Sequence, residues 1–240
     1  MTRILGLVLA RGGSRGVPGK NIRLLHGRPL LAWTAEAALA ARGLTTTVLS
    51  TDDVEIAAVG EACGLRVPWL RPASLAADDT PSLPVVQHAI EALEAAGESY
   101  DAVCLLQPTS PLRAPGEIDA CIARLQESGA DAVCTVIRIP DEFHPSWAYV
   151  PHADGTLGLA SGAVTPPPRR QSLVPAFTRD GAVYLARTDV VMNQHSMYGR
   201  TLVGYTKDPS WHVNIDTLED WHRAEAMMAE RLGASAGRQA

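Results

Sequence analysis

The chain has 240 residues, enough for one domain with a large buried core, and 46% apolar against 20% charged residues excludes a disordered or fibrous chain. Four cysteines without a Cys-x-x-Cys pair argue against a structural zinc knot and against a secreted disulfide framework. A net charge of -5 disfavours a nucleic-acid binder, and the apolar run 4–10 is far shorter than the roughly 20 residues that cross a bilayer. As a signal peptide that run is minimal, and a Gly/Arg-rich loop stands where a cleavage site belongs. A cytoplasmic protein with no membrane segment is expected.

In chain order, residues 4–10 read as a strand buried on both faces, followed by a Gly-rich loop and a helix over about 30–41. A strand over 45–50 ends at Thr51-Asp52, with a helix over about 53–63 behind it. A short strand around Val67 leads through a loop to a helix over 82–95, then a strand over 103–106. A helix over 115–126 and a strand over 132–136 complete the rhythm. Strands alternating with helices of these lengths predict parallel βαβ units, hence an α/β doubly wound sheet. Ligands of such sheets lie just past the carboxyl ends of the strands, where Arg11, Asp52 and Gln107 stand. From about 140 to 175 prolines, glycines and a short aromatic strand at 147–150 replace the rhythm, which reads as an inserted excursion. The sheet resumes at 181–185, and a helix packed on one face starts at Thr217. One domain over 1–232 is expected, with an excursion over about 140–178 and a polar tail over 233–240.

Charge is unevenly spread. Residues 1–28 hold six basic side chains and no acid, leaving 15 basic against 26 acidic groups in the rest. A basic island on an acidic protein suits a local anionic ligand better than a long polyanion, although a solvated basic face has the same composition. Its centre is the loop Leu9-Ala-Arg-Gly-Gly-Ser-Arg-Gly-Val-Pro-Gly-Lys-Asn21. A P-loop would need Gly at 14 and Ser or Thr at 21, where Ser14 and Asn21 stand; G-x-G-x-x-G finds no register either. Two readings stay open: a flexible βα turn with solvated cations, or a phosphate cradle of glycine amides with Arg11, Arg15 and Lys20.

The stretch 9–21 resembles the signature loop of the acylneuraminate cytidylyltransferases (CMP-sialic acid synthetases), whose relatives activate Kdo, legionaminic and pseudaminic acids. Further similar stretches follow in order: Ser50-Thr51-Asp52, Leu70-Arg71-Pro72, Leu75-Ala76-x-Asp78, Leu105-Leu-Gln-Pro-Thr-Ser-Pro-Leu-Arg113, His144-Pro145, Arg170-Gln171, Gly181-Ala-Val-Tyr184 and Ile215-Asp216-Thr217. The likeness covers roughly residues 3–230, with 9–21 and 105–113 specific to the family. It implies a Rossmann-like, mostly parallel sheet of nucleotidyltransferase type whose excursion serves as lid or dimerisation element of a homodimer. It also implies the reaction: CTP plus a sugar acid gives a CMP-sugar acid and pyrophosphate, assisted by Mg²⁺. By resemblance Arg11, Ser14 and Lys20 hold the phosphates, with Ala10, Gly12 and Gly13 in the same nucleotide-binding loop. Asn21, Arg71 and Ser82 help hold the nucleoside, and Gln107 faces the acceptor sugar. Arg11, Lys20 and Asp216 form the implied catalytic set, since the chemistry asks for alignment and charge neutralisation.

Three departures from the family pattern stand out. Its usual Asp-x-Asp reads Asn214-Ile215-Asp216 here, so Asp216 would anchor Mg²⁺ with Asn214 offering a neutral oxygen or orienting a water. Asp216 also suits a helix N-cap, with Glu219 completing a capping box, and both readings stay open. Ser146-Trp147 follows His-Pro where a lysine is common, and Asp180 stands where Asn is common. The acceptor's carboxylate would then fall to Arg170, Arg169 or Arg179. The alternatives are another nucleoside triphosphate, an acceptor bearing a phosphate or phosphonate, or a non-catalytic nucleotide-binding relative.

Overall fold

A computed structural model describes residues 2–236. Strand β1 (Ile4–Leu9) runs into the Gly-rich loop, which returns through a small hairpin, β2 (Leu24–Leu25) and β3 (Arg28–Pro29), into helix α1 (Leu30–Ala40). There follow β4 (Thr46–Ser50), α2 (Val54–Ala62), α3 (Ser82–Ala95), β5 (Ala102–Leu106), α4 (Glu117–Ser128) and β6 (Ala132–Arg138). The excursion holds the two-stranded sheet of β7 (Tyr149–Pro151) and β8 (Leu157–Leu159). The chain then runs through β9 (Phe177–Arg187), α5 (Thr188–Asn193), β10 (Leu202–Thr206) and α6 (Leu218–Ala236).

The main sheet has the order β10-β6-β9-β5-β1-β4. Leu7 on β1 faces Val48 on β4 and Leu105 on β5, both in parallel register. From β1 the chain first moves outward to β4 and later returns to β5 on the other side, so the crevice of a doubly wound sheet opens at the carboxyl end of β1. β9 runs antiparallel between β5 and β6, with a register shift between Cys134 and Val136, beyond which β6 and β9 stay paired through Arg138 and Phe177. The alternation of β1 sends Ile4 and Val8 to the face covered by α1, α2 and α4, and Leu5 and Leu7 to the face covered by α3 and α5. A third cluster, with Trp221 only 1% exposed at its centre, seats α6 against Val17, Leu30 and Ile215. That contact carries residues 213–216 to the mouth of the Gly-rich loop.

Several sequence expectations change in detail. The short strand around Val67 is two isolated bridges, Val48 to Arg66 and Thr51 to Leu70, because the segment touches β4 only in passing. The returning strand is eleven residues long, not five. The hairpin, α5 and β10 carried too little periodicity to be read. Helix α6 continues through 233–236 of the expected polar tail, whose remaining residues lie outside those described. No helix among the described residues is long and apolar enough to cross a membrane.

Candidate active site

The Gly-rich loop is braced from beneath by buried polar side chains. Asn21 donates its amide to the Arg11 carbonyl at 3.0 Å. Arg71 reaches the Ala10 carbonyl and Asp52 Oδ1, both at 3.3 Å, and Asp52 Oδ1 also accepts the Gly12 amide. Burial pulls the Arg71 guanidinium below the ordinary arginine value, while Asp52 works the other way. Because a buried cation needs partners, these contacts hold the loop's start against β4 whatever occupies the cleft above.

Above the loop lies an open cleft of about 440 Å³ at the carboxyl end of β1. Lys20 donates to the Ile215 carbonyl at 2.6 Å and lies 3.5 Å from Asp216 Oδ1. Desolvation lowers the Lys20 pKa, opposed chiefly by Asp216. The loop approaches this segment so closely that a Cβ on Gly16 would run into the Asp216 carbonyl oxygen. Arg11 and Arg15 both pair with Asp78, one carboxylate oxygen each. A carboxylate thus sits on the two guanidiniums where phosphate oxygens are expected.

Residues 214–216 decide whether a divalent cation fits. Asn214 donates to Asp216 Oδ2 at 2.6 Å, and its own Oδ1 is buried without a partner. The N-cap of α6 is Thr217, whose hydroxyl accepts the Asp220 amide while Asp220 Oδ2 accepts the amides of Asp216 and Thr217. The capping box therefore uses Thr217 and Asp220, not Asp216 and Glu219, and the Asp216 carboxylate stays 66% exposed in the cleft. One carboxylate and one unpartnered amide oxygen are hard donors that suit Mg²⁺ once phosphates and water complete its shell. No cluster of three or more acidic, His or Cys ligands exists among the described residues.

Gln107, at the end of β5, is held by a residue to which the sequence reading assigned no role. Buried Arg113 donates to the carbonyls of Gln107 and Ala182, each at 2.8 Å, and to Thr34, stitching the 107–113 loop to β9. Burial pulls its pKa down to about 10. Beside it, Lys207 lies 2.9 Å from Asp180 and 3.3 Å from Glu117, and donates to the Leu112 carbonyl. Desolvation works to raise the Asp180 pKa, but His212, Lys207, Thr135 and the Ala182 amide together hold it well below the usual carboxylate range. Desolvation raises that of Glu117. Next in the chain Gly181 adopts φ +89°, and a Cβ there would come within 2.8 Å of Ser110 Oγ. A second cavity of about 380 Å³ adjoins the first, sharing Ser82 and Gln107 with it.

Of the residues singled out in the sequence, Arg11, Ser14, Lys20, Asn21 and Arg71 line the first cleft with Ser82, Gln107, Asn214 and Asp216. Ala10, Gly12 and Gly13 do not line that cleft: Ala10 is buried just past the carboxyl end of β1, Gly12 stands against Asp52 and Asp53, and Gly13 is exposed. Arg170 lies in the excursion 3.5 Å from Asp141 and lines neither cavity, and the Trp147 indole donates to Pro167. Asp78, Arg113 and Gly16 were within the quoted motifs, but their roles depend on partners 67, 69 and 200 residues away in the chain.

Residues 5–203 match the family described as Cytidylyltransferase. The chain belongs to the cytidylyltransferase family. This cytidylyltransferase is 33% identical over 233 residues to the CMP-N,N'-diacetyllegionaminic acid synthase of Legionella pneumophila, covering 94% of this chain and 96% of that one. It is 30% identical over 224 residues to N-acylneuraminate cytidylyltransferase A of Danio rerio, covering 92% of this chain but only half of that longer protein. Among solved structures, a CMP:2-keto-3-deoxy-manno-octonic acid synthetase complexed with CTP aligns with TM-score 0.72 at 17% identity, over 96% of this chain and 100% of that one. A 4-diphosphocytidyl-2C-methyl-D-erythritol synthase from Anaerococcus prevotii gives 0.63 at 14% identity, over 95% and 99% of the chains. At these identities the two structures show that the cytidylyltransferase shares their α/β fold.

Proposed function

We propose that the enzyme transfers CMP from CTP to the anomeric hydroxyl of a nonulosonic or related sugar acid. The acceptor oxygen attacks the α-phosphorus, the bond to the bridging oxygen breaks, pyrophosphate leaves, and the hydroxyl proton passes to solvent. The observation that carries this reading is the pair of adjoining cavities at the carboxyl end of β1, meeting at Ser82 and Gln107. One is walled by Arg11, Arg15 and Lys20 and suits a triphosphate; the other has room for the acceptor. In this reading the triphosphate takes Arg11 and Arg15 from Asp78. Lys20 neutralises phosphate charge while remaining tied to Ile215, and Asn21, Arg71 and Ser82 stand at the nucleoside side. Gln107, held through its carbonyl by Arg113, positions the acceptor.

Asp216 and Asn214 would hold Mg²⁺, which when bound supplies Lewis-acid neutralisation of the phosphates. The domain spans 1–232 in this reading, and the 140–178 excursion joins two copies in a homodimer. Exposed Phe143, Val164 and Val174 on the excursion support that interface. The four unpaired thiols fit a cytoplasmic enzyme.

Pyrophosphate release tests the reading, crossing four nucleoside triphosphates with sialic, legionaminic, pseudaminic and Kdo acids in Mg²⁺. Release confined to CTP with one acid is the expected result. Silence across the panel while CTP still binds in calorimetry would overturn the sugar-acid reading.

A further inference from the structure

Only two of the chain's basic side chains are lysines, Lys20 and Lys207. Lys20 belongs to the nucleotide cleft. Lys207, just past β10, is 4% exposed and lines neither of the two adjoining cavities. Three oxygens from separate segments surround its ammonium: the Leu112 carbonyl at 2.7 Å, Asp180 Oδ2 at 2.9 Å and Glu117 Oε1 at 3.3 Å. A compact ammonium with three N–H groups suits such a set, whereas a guanidinium spreads its donors in one plane.

The cluster stands where two arms of the site meet. Leu112 belongs to the loop that begins at Gln107, and Asp180 immediately precedes Gly181. Ser110 Oγ, Gln107 Oε1 and Asn214 Oδ1 all lie within 3.8 Å of the point a Cβ on Gly181 would take. Asp180 Oδ1 accepts from the Thr135 hydroxyl on β6 and from the Ala182 amide on β9, which fixes the carboxylate on the sheet. Its Oδ2 faces both Lys207 and, at 3.9 Å, His212 Nδ1. Those two residues flank a single helical turn, Pro209–Trp211, and the chain runs on from it into 213–216. One carboxylate oxygen therefore faces both ends of the turn that delivers Asn214 and Asp216. The arms also touch directly, since the Ile215 amide donates to the Thr109 carbonyl at 2.8 Å.

We propose that Lys207 and Asp180 form a positioning pair for the transfer reaction, fixing the loop that bears Gln107 against the segment that bears Asn214 and Asp216. The pair acts through those arms and touches neither substrate. This role rests on the reading that puts the acceptor at Gln107 and Mg²⁺ at 214–216, and it holds for whichever acid is the acceptor. Buried ion pairs add little net stability over apolar side chains of similar volume, so what this pair contributes is register between the two arms.

Removing one charge would leave the other buried and unpaired, so the deciding variant is Asp180→Asn with Lys207→Met, which removes both. Its urea midpoint should stay near that of wild type. CTP binding in calorimetry without Mg²⁺ should keep its affinity and stoichiometry, because neither residue borders the nucleotide cleft. In the ligand-free protein the Ile215 amide should exchange its hydrogen at least about tenfold faster, as the two arms part more often. With the acid that releases pyrophosphate, kcat should fall by about tenfold to a hundredfold through misplacement of the reacting groups. The Mg²⁺ concentration for half-maximal rate should rise about tenfold, the usual cost of losing support behind a metal position. A folded double variant with wild-type kcat and Mg²⁺ titration, or with an unchanged Ile215 exchange rate, would overturn the assignment. So would a fall in CTP stoichiometry with an unmoved Mg²⁺ titration, the mark of a pair that serves folding alone. A wild type that turns over none of the acids would remove the sugar-acid reading, while the exchange rate of Ile215 would still decide whether the pair holds the two arms together.

Discussion

The nucleotide end and the excursion of this molecule are built in opposite ways. Around the Gly-rich loop each cation finds its carboxylate far along the chain: Arg11 and Asp78, Arg71 and Asp52, Lys20 and Asp216. In the excursion β7 and β8 form a sheet of their own, and Asp141 is shared between Arg138 at the end of β6 and Arg170 within the excursion. Among the described residues, seven of the fourteen large apolar side chains left exposed lie within 143–177, with Val164 at 98%. The cations of the nucleotide end therefore find their carboxylates within one chain, while the excursion keeps apolar surface that one chain does not cover. Long-range pairing is what a preorganised anion site needs, because donors fixed before the ligand arrives cost no rearrangement during the reaction.

Perturbing each region in turn sharpens that contrast. Lys20→Ala should show the largest effect, a fall in turnover of about a hundredfold to a thousandfold with an almost unchanged urea midpoint. Loss of folding in proportion to activity would mean that Lys20 is chiefly a brace for residues 215–216.

Next comes Asp180→Asn, which takes a charge from the buried Lys207 cluster and should cost about 3 kcal/mol in urea unfolding near neutral pH. Its pH dependence has a definite sign. The folded state holds the Asp180 pKa below its unfolded value, so the stabilisation is present above roughly pH 3.9 and is lost as pH falls further. Wild type should therefore lose stability more steeply than Asp180→Asn on acidification from about pH 5 to 3. Parallel acid curves would show that the cluster, not this carboxylate, carries the effect.

Gly16→Ala, by pushing the Asp216 carbonyl away, should cost about 1–3 kcal/mol and raise the Mg²⁺ concentration for half-maximal activity. An unshifted Mg²⁺ titration would break the link between the loop and the metal position. Asp78→Asn should act in the favourable direction, strengthening CTP binding by up to about fivefold, since half-exposed ion pairs are worth at most about 1 kcal/mol. Calorimetry showing weaker binding would mean that Asp78 positions the arginines instead of competing for them. The smallest change in stability belongs to Val164→Glu with Val174→Glu, within about 0.5 kcal/mol each, because neither side chain is buried in the single chain. Light scattering should nonetheless find a dimer converted to monomer, and an unaltered mass would place the interface elsewhere.

Much of the sheet was legible in the sequence because strands buried on both faces read as continuous apolar runs bounded by Gly-rich turns. β1, β4, β5 and β6 carry that signal. The ligand end was legible too, since a doubly wound sheet binds past the carboxyl ends of its strands wherever Arg11, Asp52 and Gln107 happen to fall. The direction of β9 was not, because a largely buried apolar run reads the same in either sense and only its neighbours β5 and β6 select antiparallel pairing. Nor could spacing show that Thr217 and Asp220 would take the cap and leave Asp216 exposed, since both registers offer a hydroxyl or carboxylate with an acid three residues on.

By itself, then, the sequence determined the βαβ rhythm and the basic loop, and its motifs at 9–21 and 105–113 carried the resemblance to the family, each of them made of residues close together along the chain. Tertiary structure alone decided which partner each charged group meets: Asp78 on Arg11 and Arg15, Arg113 on the Gln107 carbonyl, Lys207 between Asp180 and Glu117, Arg179 on the Tyr198 hydroxyl. The physical reason is that the strength of an ion pair or hydrogen bond depends on burial and on a few ångströms of separation. Both are set by how the layers pack, not by the order of residues in any one of them.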